Sequence, residues 1–181
     1  MPLRLPPVDL SKVALRCIEL RPQTINSRMT APYTDEQVAD LTRRLLDHSL
    51  PKAEWTHAAH LSATLRLVRT RNENLERDMP RIIQTYNVAV GGVNDDHNGY
   101  HETITQAYLA AIRAFVAALP AVTSDGEACA RLLATPMGDK AWPLGFWSRE
   151  RLFSVAARRG WVEPDLAPLE APVIVDLETP A

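Results

Sequence analysis

The stretch "GYHETITQAYLAAIRAFVAALP", residues 99–120, decides how the chain is read. From Tyr100 to Leu119 it carries alanines and long apolar side chains in helical rhythm, and Pro120 stops it, so one long helix is expected. With successive residues about 100° apart, His101, Thr105, Tyr108, Ile112 and Leu119 share one apolar stripe. Glu102 stands at its edge beside Gln106, Leu109 and Arg113. A helix this apolar must be covered by others. Gly99 and the pair His101-Glu102 therefore place two titratable groups where a helix enters a core.

Working outward, the neighbours are helical too. Thr34 followed by Gln37 makes a capping box that opens a helix over about 35–48. Ser49 and Pro51 suit the start of a second, "PKAEWTHAAHLSATLRLVRTR", because a first turn has no use for the missing N–H of proline. Asp78 ahead of Pro80 repeats that signal for "RIIQTYNVAV", with Leu75–Met79 as an alternative first turn, and Gly91-Gly92 closes it. Ser124 with Glu127 opens a short helix to about Leu133. Ser148 caps a last one, "SRERLFSVAARRG", ending at Gly160. No alternation of period two is sustained between 34 and 160, and no long repeat is present. The expected fold is an all-α, single-domain helical bundle of about five to six helices, with extended N- and C-terminal segments.

The divisions follow from composition. Residues 1–33 read as a variable N-terminal extension in which "KVALRCIEL" is a short strand or a helical turn. Residues 34–169 form the bundle, and 170–181 an extended tail. The prolines of "WVEPDLAPLEAPVIVDLETPA" forbid regular helix, so this segment is expected as a strap held by Trp161, Leu166 and Leu169, with "VIVDL" able to add a strand.

Composition also bounds function. The 181 residues carry 20 basic and 22 acidic side chains, net −2, with neither sign gathered into a block. No electrostatic footprint for nucleic acid or an anionic membrane results, which leaves a small-molecule ligand, other proteins or a homodimer as partners. No window reaches the length of a membrane span and the first residues lack an apolar signal core, so a cytoplasmic protein is expected. Cys17 and Cys129 are far apart and read as free, buried thiols.

Chemistry concentrates on histidine. In "EWTHAAHL", residues 54–61, His57 and His60 are one turn apart on or beside an apolar stripe that continues through Thr64 and Val68, while Trp55, Ala59, Ser62 and Arg66 take the opposite, outer face. Together with His101 they are all expected to face inward. A buried imidazole left without partners costs about 1–3 kcal/mol, so three of them need an explanation.

One explanation is coordination: His57, His60, His101 and Glu102 as ligands of zinc, iron or manganese, with His97 a substitute for His101. Glu54 and His57 form a Glu-x-x-His pair, but the second such pair of a di-metal bundle is missing. The other is a hydrogen-bonded network, since Thr56, Thr64, Thr103, Thr105 and Tyr108 are near in sequence. Glu102 then favours the positive end of a helix dipole. As an enzyme the chain is expected to be a metal-dependent hydrolase or oxygenase with Glu102 as ligand or general base and Tyr86 beside it. Asn87 and Arg151 are candidates for holding substrate, Arg151 through a carboxylate. As a binding module, the same cavity takes a small ligand without metal. No G-x-S-x-G elbow, Walker A loop, Rossmann fingerprint or Cys–His dyad is present.

Three blocks carry a resemblance: "WTHAAHL" (55–61), "YNVAVGGVNDDHNGYHETIT" (86–105) and "WSRERLFSVAARRGWVEPDLAPL" (147–169). The chain resembles, over roughly 34–169, a group of small bacterial helical proteins of about this size to which no activity is attached. The resemblance implies that the three blocks belong to one unit and transfers no chemistry.

Overall fold

A computed structural model describes residues 14–19, 33–71 and 74–175. Its architecture is all-α, as the periodicity predicts. Seven helices occur among the described residues: α1 Asp35–Leu46, α2 His57–Thr70, α3 Leu75–Ala89, α4 Glu102–Ala117, α5 Asp125–Leu133, α6 Arg149–Leu152 and α7 Val155–Arg159. Two short segments, β1 Ala14–Glu19 and β2 Glu170–Val175, pair in parallel with Ala14 opposite Glu170. The N-terminal segment and the tail thus meet as strands. Residues 1–13 and 20–32 of the expected 1–33 extension and residues 176–181 lie outside the described residues.

The caps at Thr34 and Ser124 fall where the sequence puts them, whereas the second helix opens at His57 behind Thr56 and not at Ser49-Pro51, with Lys52–Glu54 a separate short turn ahead of it. Thr34 Oγ1 accepts the N–H of Gln37 at 3.3 Å while Gln37 Oε1 accepts the N–H of Thr34 at 2.8 Å, which completes the capping box of α1. Thr56 caps α2 and Ser124 caps α5 in the same way, each side-chain oxygen taking an otherwise orphaned N–H.

Three further expectations need settling or correcting. α3 begins at Leu75, the alternative first turn and not the Asp78 start, so Pro80 lies inside it and deprives the carbonyl of Glu76 of its ladder donor. That carbonyl is satisfied from the next helix, by Gln106 Nε2 at 3.1 Å. The last predicted helix is two: Ser154 Oγ takes the N–H of Ala157 at 3.1 Å and donates to the Arg151 carbonyl at 2.8 Å, ending α6 and capping α7. Finally, Ala59 and Ser62, assigned to an outer face of α2, are fully buried. α2 packs against α1, α4 and α5, so nearly its whole circumference is interior.

The main core is built from α2, α4 and α5 around Leu61, Leu65, Leu109, Ile112, Phe115 and Leu132. A second cluster joins Leu41, Leu45, Leu50, Ala59 and Ala63 to Tyr86. A third sets Trp147 against Ala107, Leu152 and Leu169, and holds the strap. Of the three side chains expected to pin that strap, Leu169 is buried and Trp161 half-buried, but Leu166 is exposed. Polar ties cross the bundle as well: the Asp125 carboxylate accepts from Arg66 and from Arg69, the latter at 2.6 Å, and links α2 to α5. No helix among the described residues is long and apolar enough to cross a membrane.

Gly99 is explained by the turn it makes. Its φ is +75°, and a Cβ there would lie 2.0 Å from the Val93 carbonyl oxygen. Only glycine fits that close approach.

Candidate functional site

α2 begins at His57 because Thr56 caps it. One turn later comes His60, and the two rings line one cavity, as their spacing predicts. This cavity, about 320 Å³ in volume, lies between α2, α3 and α4 beside the loop that carries Lys140. Its walls are aliphatic, from Leu61, Met79, Ile83 and Ile104, with Thr64, Thr105 and Tyr108 as polar groups.

Each histidine has one nitrogen fixed. His57 Nε2 lies 3.0 Å from the carbonyl of Met137, and His60 Nδ1 lies 2.7 Å from that of Thr56. A carbonyl only accepts, so both of these nitrogens carry the proton, which assigns the tautomers. His57 Nδ1 and His60 Nε2 are left as acceptors with no partner among the described residues. The His60 ring also lies on Trp55, centroids 3.7 Å apart. Burial, helped by the neighbouring His57, pulls the pKa of His60 down to about 4 against the opposing bond to Thr56. His60 is therefore neutral at pH 7.

His101 is elsewhere. It is the N-cap of α4, one residue outside the helix, and so leaves the stripe that helical geometry assigned it. Its Nδ1 accepts the N–H of Ile104 at 3.3 Å and its Nε2–H donates to the carbonyl of Leu152 at 2.9 Å. Both nitrogens are used, and burial lowers its pKa. Glu102 turns away too, accepting from Tyr100 Oη at 2.5 Å and from Gln106 Nε2 at 3.0 Å. With His97, Asp96, Arg158 and Arg159 it lines a separate polar cleft of about 660 Å³. The expected set of His57, His60, His101 and Glu102 is thus divided among three places, the cavity, the cap against Leu152 and the polar cleft, and His97 falls with Glu102. Among the described residues no three His, Cys, Asp or Glu side chains form a metal-holding group.

The remaining candidates have structural partners. Tyr86, expected beside Glu102, is fully buried in the second cluster, where its hydroxyl donates to the Leu50 carbonyl at 3.1 Å. Asn87 points its amide at Asn94 Oδ1, 2.9 Å away, which fixes the 91–99 loop. Arg151 is exposed, its Nε donating to the Glu163 carbonyl at 2.6 Å, so it anchors the strap. Cys129 is buried and its thiol pushed up to about 11 by that burial, which removes it as a nucleophile.

What sequence reasoning missed is the other half of the cavity. Tyr108 was visible on the α4 stripe, and Ile104 and Thr105 lie one turn before it. Met79 and Ile83 show only the i, i+4 spacing of any core face. Lys140 stands in a loop with no periodicity to mark it.

The two histidines with lowered pKa make stability depend on pH. Unfolded, each takes up a proton near the ordinary value of 6.5, whereas the folded form resists it. Their contribution is complete above that value and is lost as pH falls below it, by up to about 1.4 kcal/mol per pH unit for each group. The carboxylates held low, Asp35, Asp47, Asp95 and Asp165, titrate below their ordinary 3.8 and leave this window clear. Urea midpoints are expected to drop between pH 7 and pH 5, and His60→Gln to drop less; equal slopes for the two proteins would refute the assignment.

Comparison with protein families, curated proteins and solved structures finds no match for this chain.

Proposed function

We propose that this protein binds a small molecule in the cavity between α2, α3 and α4, and that its two histidines act there as hydrogen-bonding groups. One observation carries the reading: an aliphatic pocket of about 320 Å³ is edged by two imidazoles, each with one nitrogen locked to a backbone carbonyl and the other bare. Apolar walls with a few convergent polar groups are the usual make-up of a ligand site. A nitrogen left bare at the wall of an apolar cavity is free to receive a ligand's hydroxyl or N–H.

The test is a binding screen on the full chain, read by thermal shift. A true ligand at a hundredfold excess over its Kd adds about 2.7 kcal/mol of stability. Thr64→Phe, which fills the cavity from α2, is expected to leave the fold intact and abolish that gain. Hits that survive Thr64→Phe would place the site elsewhere.

A second reading is supported by the same pair. Imidazoles whose second nitrogen is fixed by a carbonyl are oriented as metal ligands are. His57 and His60 would then hold a zinc, iron or manganese ion whose other positions belong to water or substrate, as in a hydrolase or oxygenase. Metal analysis of protein purified without a histidine tag separates the two: stoichiometric metal that disappears in His57→Ala supports the enzyme, and metal-free protein that binds its ligand supports the first reading.

A further inference from the structure

We infer that the ligand of the α2–α3–α4 cavity is a monocarboxylic acid with an apolar body, its carboxylate paired with Lys140 at the mouth. The inference rests on the binding reading above and names the ligand class. Lys140 is the one residue with a permanent charge among the described residues that line the cavity, and no carboxylate lines it. Its ammonium takes part in no hydrogen bond or ion pair among the described residues. The side chain is exposed, but its backbone is placed: Tyr108 Oη donates to the Asp139 carbonyl at 3.3 Å, and Asp139 Oδ1 accepts the N–H of Ala141 at 2.8 Å. These bonds tether the loop to α4, turn the Asp139 carboxylate to the Ala141 N–H and leave Lys140 as the charged side chain that lines the apolar space.

The other polar groups set limits on the rest of the ligand. A bare lone pair on His60 repels a second negative charge and rewards a hydroxyl or N–H. A dicarboxylate is disfavoured on that account. So is a cation, which meets Lys140 and finds no acidic group lining the cavity.

Three eight-carbon probes of matched shape test this by calorimetry on the full chain: octanoate, octanamide and octylammonium. Octanoate is expected to bind about two- to fivefold more tightly than octanamide, the range of a pair at a wet surface, and octylammonium least. Lys140→Met should erase the preference for the acid, and Lys140→Arg should keep it; both are exposed substitutions that leave the core untouched. Thr64→Phe should remove binding of all three. Equal affinity of the wild type for acid and amide, or a preference that survives Lys140→Met, overturns the acid assignment and leaves the pocket standing. Failure of all three probes to saturate the wild type overturns the acid assignment together with the pocket.

Discussion

His101→Ala is expected to lower the free energy of unfolding by about 3 kcal/mol. Two losses add. The first N–H groups of α4 lose the acceptor at His101 Nδ1, and a lost N-cap costs about 1 kcal/mol. The Leu152 carbonyl loses the Nε2–H donor inside a buried corner, where an unsatisfied polar group costs about 1–3 kcal/mol. For a chain of this size the sum corresponds to a fall in Tm of roughly 6–12 °C. His101→Asn restores an oxygen at the cap and not the reach to Leu152, so about 1 kcal/mol should return. Urea denaturation of the three proteins measures this. If alanine costs less than asparagine, or nearly nothing, the ring is not the clamp between α4 and α6 that its two bonds make it.

Trp147→Ala is expected to cost about 4 kcal/mol, in the range for deleting a buried tryptophan. Trp147 is the largest fully buried side chain, at 0% exposure, and it faces Trp161 edge-on with centroids 5.6 Å apart. Its indole N–H donates to the Val162 carbonyl at 3.0 Å, while the Val162 N–H reaches Thr103 Oγ1 at 3.1 Å. The indole therefore holds the strap as well as filling the third cluster. The variant should be cut by trypsin after Arg158 or Arg159 at a concentration that leaves the wild type whole. Trp147→Phe, which keeps most of the volume and loses the donor, should fall between. A Trp147→Ala protein that loses less than 1 kcal/mol and resists trypsin would show that the strap is held from elsewhere.

The fold was legible in the sequence because its evidence is local. Caps at Thr34, Ser124 and Ser148 and a helical stripe from Thr105 to Ile112 are properties of short segments, and tertiary packing agrees with them. The errors share a cause. At Pro80, at Ser154 and on the outer face of α2, a residue's local preference was overruled or redirected by a neighbour distant in sequence. Half of the cavity was legible for the same reason, since His57 and His60 share a face through helical spacing alone. His101 was not, because an N-cap departs from helical geometry by its nature and its ring goes where Leu152 is. Nor was Lys140, whose position depends on Tyr108 of α4.

The bond from Gln106 to the Glu76 carbonyl makes Pro80 and Gln106 a single device shared by two helices. Proline at 80 withholds a donor, and the amide at 106 lends one from outside, at a fixed height along α4. The two helices are thereby keyed like a tooth and a notch, and α3 cannot ratchet by a turn without emptying that carbonyl. In diverging chains the two positions should change together: where 80 ceases to be proline, 106 is released to become apolar, and where proline stays, an amide stays with it.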